Sequence, residues 1–121
     1  MSTPPTFGEH EFRKAQISEP NRDCVQVARR DGWVEIRDDK TTFGAPDDHR
    51  IRLTETQFDN YQAAVTTQKT AGQALELTPL PNNMQALRST RTPAELVFTD
   101  REITAFHHGI RHGDFTPDAK T

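Results

Sequence analysis

The sequence holds one cysteine, one tryptophan and one tyrosine in 121 residues. A single thiol excludes an internal disulfide, and the missing Cys-x-x-Cys pattern leaves no redox or zinc motif of that kind. No apolar run approaches the roughly 20 residues that a membrane span needs, and no basic-plus-apolar stretch resembles a signal peptide. The expected setting is a reducing one, the cytoplasm. Hydrophobic residues are scarce at 32%, and the mean hydropathy is -0.84. A chain of this length buries roughly two-thirds of its unfolded surface, enough for one small core. Excess base is missing as well. A net charge of -3 and a pI near 5.9 weigh against a general nucleic-acid binder, which shows a basic face. Gly-rich phosphate loops, nucleophile elbows and kinase signatures do not occur, so neither an enzyme nor a cofactor is expected.

What the chain does contain is one pattern written twice. "LTETQFDNYQAAV" (residues 53–65) and "FTDREITAFHHGI" (98–110) both run hydrophobe, Thr, acid, spacer, Gln or Glu, hydrophobe. Thr54 with Gln57, and Thr99 with Glu102, have the spacing of capping boxes, in which the Thr oxygen accepts from an early helix N–H and the Gln or Glu reaches back. Leu53 with Phe58, and Phe98 with Ile103, have the spacing of hydrophobic staples. Phe58, Tyr61 and Val65 then follow at helical spacing, as do Ile103, Phe106 and Ile110. Two short amphipathic helices are predicted.

Upstream the copies also align. "CVQVARRDGWVEIRDDK" (24–40) reads as a hairpin: Val25 and Val27 alternate with polar residues, "RRDG" turns, and Val34 and Ile36 alternate again. "ALELTPLPNNMQALRSTR" (74–91) is its counterpart. A third strand, "HRIRL" (49–53) or "AELVF" (94–98), leads into each helix. One such unit is too small to close a core. The expected fold is therefore α+β, with two pseudo-symmetric βββα units (12–66 and 74–115) forming one compact domain. The polar segment 67–73 is the expected linker, and 1–11 and 116–121 the expected loose ends.

The run Phe12-Arg13-Lys14, "CVQVA", "VEIRDDK" and "TETQFDNY", with the tail "LVFTDREITAFHHGIRHGDF", resembles the actinobacterial domain of unknown function 397 family. The matches span residues 12–115, and tandem versions of the domain fit the repeat. Ala15 and Gln16 depart from the family's two serines, and Gln26 from its usual glutamate. In the second copy Ala74 replaces Cys24, and the amino-terminal aromatic segment is missing. The resemblance implies a partner rather than a reaction. Family members tend to be encoded beside XRE-type helix-turn-helix regulators and are thought to act with them, as antitoxin-like or modulating proteins.

Cys24, among valines, reads as a buried small hydrophobe. His108 and His112 stand four apart, as zinc ligands on a helix would, but no third ligand accompanies them and no metal is expected. Arg111 and His112 instead suit the helix C-terminal dipole, with Gly113 as cap. Glu35, Asp38 and Asp39 lie beside Arg37 and Lys40 and read as a solvated charged edge rather than a catalytic pair. Trp33 beside Arg37 has the composition of a protein–protein hot spot, with Asp38, Lys40, Arg29 and Arg30 extending the patch. Trp33 could equally be covered and belong to the core. The alternative function is direct nucleic-acid binding through Arg29, Arg30, Arg37, Arg88 and Arg91.

Overall fold

The computed structural model describes residues 5–14, 25–69 and 72–115. The elements follow the repeat. β1 (Val25–Arg30), β2 (Trp33–Asp38) and β3 (Arg50–Thr54) form one antiparallel sheet in the order β1-β2-β3, and α1 (Glu55–Thr67) follows. β4 (Leu75–Leu80), β5 (Met84–Ser89) and β6 (Glu95–Thr99) form a second sheet in the order β4-β5-β6, followed by α2 (Asp100–His112). The two units are thus α+β, each a three-stranded sheet and a helix. Their registers match position for position: Val27 pairs with Ile36 as Leu77 pairs with Leu87, and Ile36 with Ile51 as Leu87 with Leu96.

Local chemistry explains the turns and helix ends. Asp31 (φ 57°) and Gly32 (φ 86°) both take the left-handed conformation that a two-residue hairpin turn demands. Thr54 Oγ1 accepts from the Gln57 N–H at 3.1 Å, and the Thr54 N–H donates to Gln57 Oε1 at 2.9 Å. Thr99 and Glu102 repeat the geometry at 3.1 and 2.7 Å. α2 closes on Gly113, whereas α1 closes on Gln68 at φ 62°, four residues before Gly72. The first unit therefore runs through Thr67 and its cap, slightly beyond the boundary expected at 66. Thr54→Ala and Thr99→Ala should each lower stability by about 1 kcal/mol in a denaturant melt, since each leaves a helix N–H without its acceptor.

Alternation along the strands sends one set of side chains into a single shared core. Val25, Val27, Val34, Ile36, Ile51 and Leu53 come from the first sheet, and Leu75, Leu87, Leu96 and Phe98 from the second. Between them lie Phe58, Tyr61 and Val65 of α1 and Ile103, Phe106 and Ile110 of α2. The Phe115 ring fills the remaining space, edge-on to Phe58 at 6.5 Å and to Phe106 at 5.5 Å. Burying a large side chain of this kind contributes about 1.5–3 kcal/mol. Neither unit has enough of them alone.

One expectation is corrected in the described part of the leader. Residues 1–11 were expected to be loose, yet Phe7 is only 3% exposed. It packs with Phe12 and Ala28 in a second, smaller cluster on the far face of the first sheet, with Trp33 and Phe43 at its margin. A 3-10 turn at Glu9–Glu11 positions both rings, and Arg13 forms a β-bridge to Val27. Two phenylalanines separated by polar residues escape a search for periodicity, because each is an isolated anchor rather than part of a stripe.

Candidate functional site

The same alternation divides the patch expected around Trp33. Arg30, Trp33, Glu35 and Arg37 point to the outer face of the first sheet, whereas Arg29 and Asp38 belong to the inner side. Trp33 is half-buried against the Phe7–Phe12 cluster. The placement of Arg37 is a correction. It is 2% exposed and cannot serve as a partner contact in this fold. Its guanidinium donates to Asp48 Oδ1 at 3.0 Å, to the Thr41 carbonyl at 2.8 Å, and to Gln26 Oε1. The rings of Phe43 and Phe12 lie 5.2 and 5.9 Å from it.

Asp48 is the anchor that sequence reading missed. Its side chain is 1% exposed, and it also accepts from Arg50 at 2.7 Å and from the Gly44 N–H at 2.8 Å. Burial would raise its carboxyl. The hydrogen bonds from Arg50, Gly44 and Arg37 outweigh burial and hold it well below the usual carboxylate range. Glu35, buried beside it, accepts from Arg50 and Arg52, each at 2.9 Å. The outer face of the first sheet is thus a closed ionic network under two aromatic rings. Asp48 sits in the Gly/Pro/Asp-rich loop 41–49, where composition signals only a turn.

The remaining candidates are committed internally as well. Arg29 donates to Glu55 and Asp59 on α1 and to the Phe115 carbonyl. Arg30, the most accessible of them, pairs with Glu11 and Asp31. Lys40 bridges the two units: it meets Glu102 at 2.9 Å and Asp38 at 3.1 Å, and lies 4.9 Å from the Phe98 ring centre. Asp39 pairs with Lys14 at 2.6 Å. Glu35, Asp38 and Asp39 therefore each hold a cation and do not converge, and the expectation of a solvated edge is corrected for Glu35, which is buried under the aromatic rings. Of the arginines that could meet nucleic acid, Arg29, Arg30 and Arg37 are neutralised. Arg88 is exposed on the second sheet, and Arg91 lines an open groove of about 430 Å³ with Lys69, Asn60 and Gln73. No single face gathers the five.

The histidines behave differently from one another. The His108 and His112 rings stack at 6.0 Å, and His112 Nδ1 lies 2.9 Å from Asp114. Among the described residues, no group of three potential metal ligands forms. His107, which spacing did not single out, shares a 2.9 Å hydrogen bond with the Tyr61 hydroxyl between the two helices. Burial, with the charge of Arg111 in second place, lowers His107 to about 4. Burial raises the Tyr61 phenol, so it stays protonated. Cys24 lies outside the described residues.

The site that remains accessible is on the second sheet. Glu76, Thr78, Leu80, Met84, Ala86, Arg88, Glu95 and Val97 share its outer face by register. Val97 is 41% exposed, the one large hydrophobic side chain so exposed among the described residues. Ala86, across from it on β5, is buried, and Met84 and Leu80 are half-buried farther along the same face. In the first unit the matching face lies under Phe7, Phe12 and Phe43. The signal was present in the sequence: Val97, Ala86 and Leu80 occupy the places of Arg52, Glu35 and Arg30. Among the described residues, no helix is long and apolar enough to cross a membrane. No protein-family model, curated protein or solved structure matches this chain.

Proposed function

We propose that this chain is a non-enzymatic protein-binding regulator, the cytoplasmic partner of an XRE-type helix-turn-helix transcription regulator, acting as an antitoxin-like or modulating protein. The kind of partner comes from the resemblance to the domain of unknown function 397 family. One observation supports the binding role: of two sheets of matching register, one has its outer face roofed by Phe7, Phe12 and Phe43, whereas among the described residues nothing comparable covers Val97, Arg88, Glu76 and Glu95 on the other. The contact surface is accordingly the outer face of the second sheet, centred on Val97, rather than the Trp33 patch. An apolar centre with charged residues at its rim is the usual anatomy of a protein interface.

The test is a pull-down of the tagged chain from the lysate of its own host, read by mass spectrometry. A stoichiometric helix-turn-helix protein, lost on Val97→Asp, is the expected result. An eluate holding only the bait, at low salt and with DNA added, overturns the reading. Binding to DNA alone that falls steeply with ionic strength would point instead to phosphate contacts.

A further inference from the structure

We infer that the outer face of the second sheet docks an extended segment of a partner protein in which an aromatic residue is followed, two positions on, by a basic one. This rests on the binding role proposed above and specifies the chemistry that fits. The first unit supplies the template. Arg13 and Val27 exchange both backbone hydrogen bonds, at 2.8 and 3.0 Å, across an antiparallel bridge. That register sets Phe12 across from Ala28 and Lys14 across from Gln26. Phe12 meets the guanidinium of Arg37 at 5.9 Å and completes the roof with Phe7 and Phe43, 6.1 and 6.0 Å away.

The second unit offers the same fittings. Leu77 holds the place of Val27, and the shared register turns its N–H and C=O away from β5. Thr78 replaces Ala28 and offers its half-buried methyl and hydroxyl as the surface a ring would rest on. Arg88 stands where Arg37 stands but is exposed, with no ion pair or ring contact among the described residues. An aromatic side chain across from Thr78 would lie against it in a cation–π contact. Glu76 replaces Gln26 and is exposed, so a base two residues after the aromatic meets a carboxylate on β4, as Lys14 in the first unit meets that of Asp39. Glu95 replaces Arg50 at the same end of the face, adding a second carboxylate there. Leu80 replaces Arg30, so the segment needs no acid where Glu11 lies in the first unit. Pro79 limits the backbone pairing to a short stretch, because it cannot donate. Strand addition of this kind draws affinity from main-chain bonds and specificity from alternate side chains.

The probe is a synthetic peptide with the sequence of residues 5–14 carrying Glu9→Gln and Glu11→Gln, titrated into the full isotope-labelled chain. Amide shifts centred on Leu77, Thr78, Arg88 and Val97 are expected. Val97→Asp in the protein, or serine at the peptide's Phe12 position, should each weaken binding about tenfold or more. Glu76→Lys should weaken it in a salt-dependent way. Shifts confined to β1 and β2, or none at millimolar peptide, overturn the inference. So does peptide-free, concentration-dependent broadening on β4 and β6, which would make a second copy the occupant. The two proposals separate cleanly. A regulator captured equally well by the Val97→Asp protein removes the docking site and keeps the function. Peptide binding without a captured regulator does the reverse.

Discussion

Arg37→Met should lower the melting temperature by about 10 °C or more, the largest effect expected of any single polar substitution in this fold. The residue is half of an ion pair whose two side chains are 2% and 1% exposed. Removing one partner leaves Asp48 buried with Arg50 as its one remaining cation, beside the Gly44 N–H and the Thr41 hydroxyl, and leaves the Gln26 oxygen and the Thr41 carbonyl short of a donor. Breaking a buried pair in this way costs about 3–5 kcal/mol. The lower figure applies here because Arg50 remains, and for a domain of this size it corresponds to roughly 10 °C. Asp48→Asn added to Arg37→Met should recover part of the loss, because an amide needs no counter-charge. Strictly additive losses in that double variant would sink the pairing argument. The pH dependence has a definite sign. A carboxyl held below its unfolded value contributes stability that is complete above about pH 4 and is lost as pH falls through the folded value. Arg37→Met should shrink that acid-side contribution.

His107→Gln should flatten the stability of the protein between pH 7 and pH 4. In the folded chain His107 titrates near 4, against 6.5 ordinarily, because its ring lies between Tyr61 and Phe106 with Arg111 nearby. The unfolded chain therefore binds the proton more readily, and stability is complete above about pH 6.5 and declines as pH falls toward 4. The displacement corresponds to about 2–3 kcal/mol once solvent at the accessible edge of the ring is allowed for. Glutamine suits the position: Gln62 holds the matching place on α1, and the amide can still bond the Tyr61 hydroxyl. The check is a set of thermal melts across that range. If the gap between wild type and His107→Gln is the same at pH 7 and at pH 4, the ring does not titrate as its surroundings imply.

Much of this fold could be read directly. Period-two strands, period-3.6 helices and the paired Thr54–Gln57 and Thr99–Glu102 caps are local signals, and the repeat doubled each of them. The site was harder. Alternation correctly placed Trp33 and Arg37 opposite Val34 and Ile36, but it cannot tell whether a face is roofed. The roof comes from Phe7 and Phe12, in a stretch without periodicity, and from Phe43, in a loop whose Gly, Pro and Asp suggest only a turn. Asp48 was hidden for the same reason, since its role depends on contacts with residues 37 and 50. Comparing the copies strand by strand would have exposed the difference, because charge in one unit stands where Val97 and Ala86 stand in the other.

The Phe115 ring has a consequence for how the protein is made. It closes the gap between Phe58 and Phe106, and its carbonyl accepts from Arg29 near the start of the fold. During synthesis the ring of Phe58 lacks this cover for at least the time taken to add the residues that separate it from Phe115. At 5–20 residues per second that interval lasts roughly 3 to 11 s. For those seconds the nascent first unit presents apolar surface to the crowded cell, and a stall in the second half of the message would prolong it.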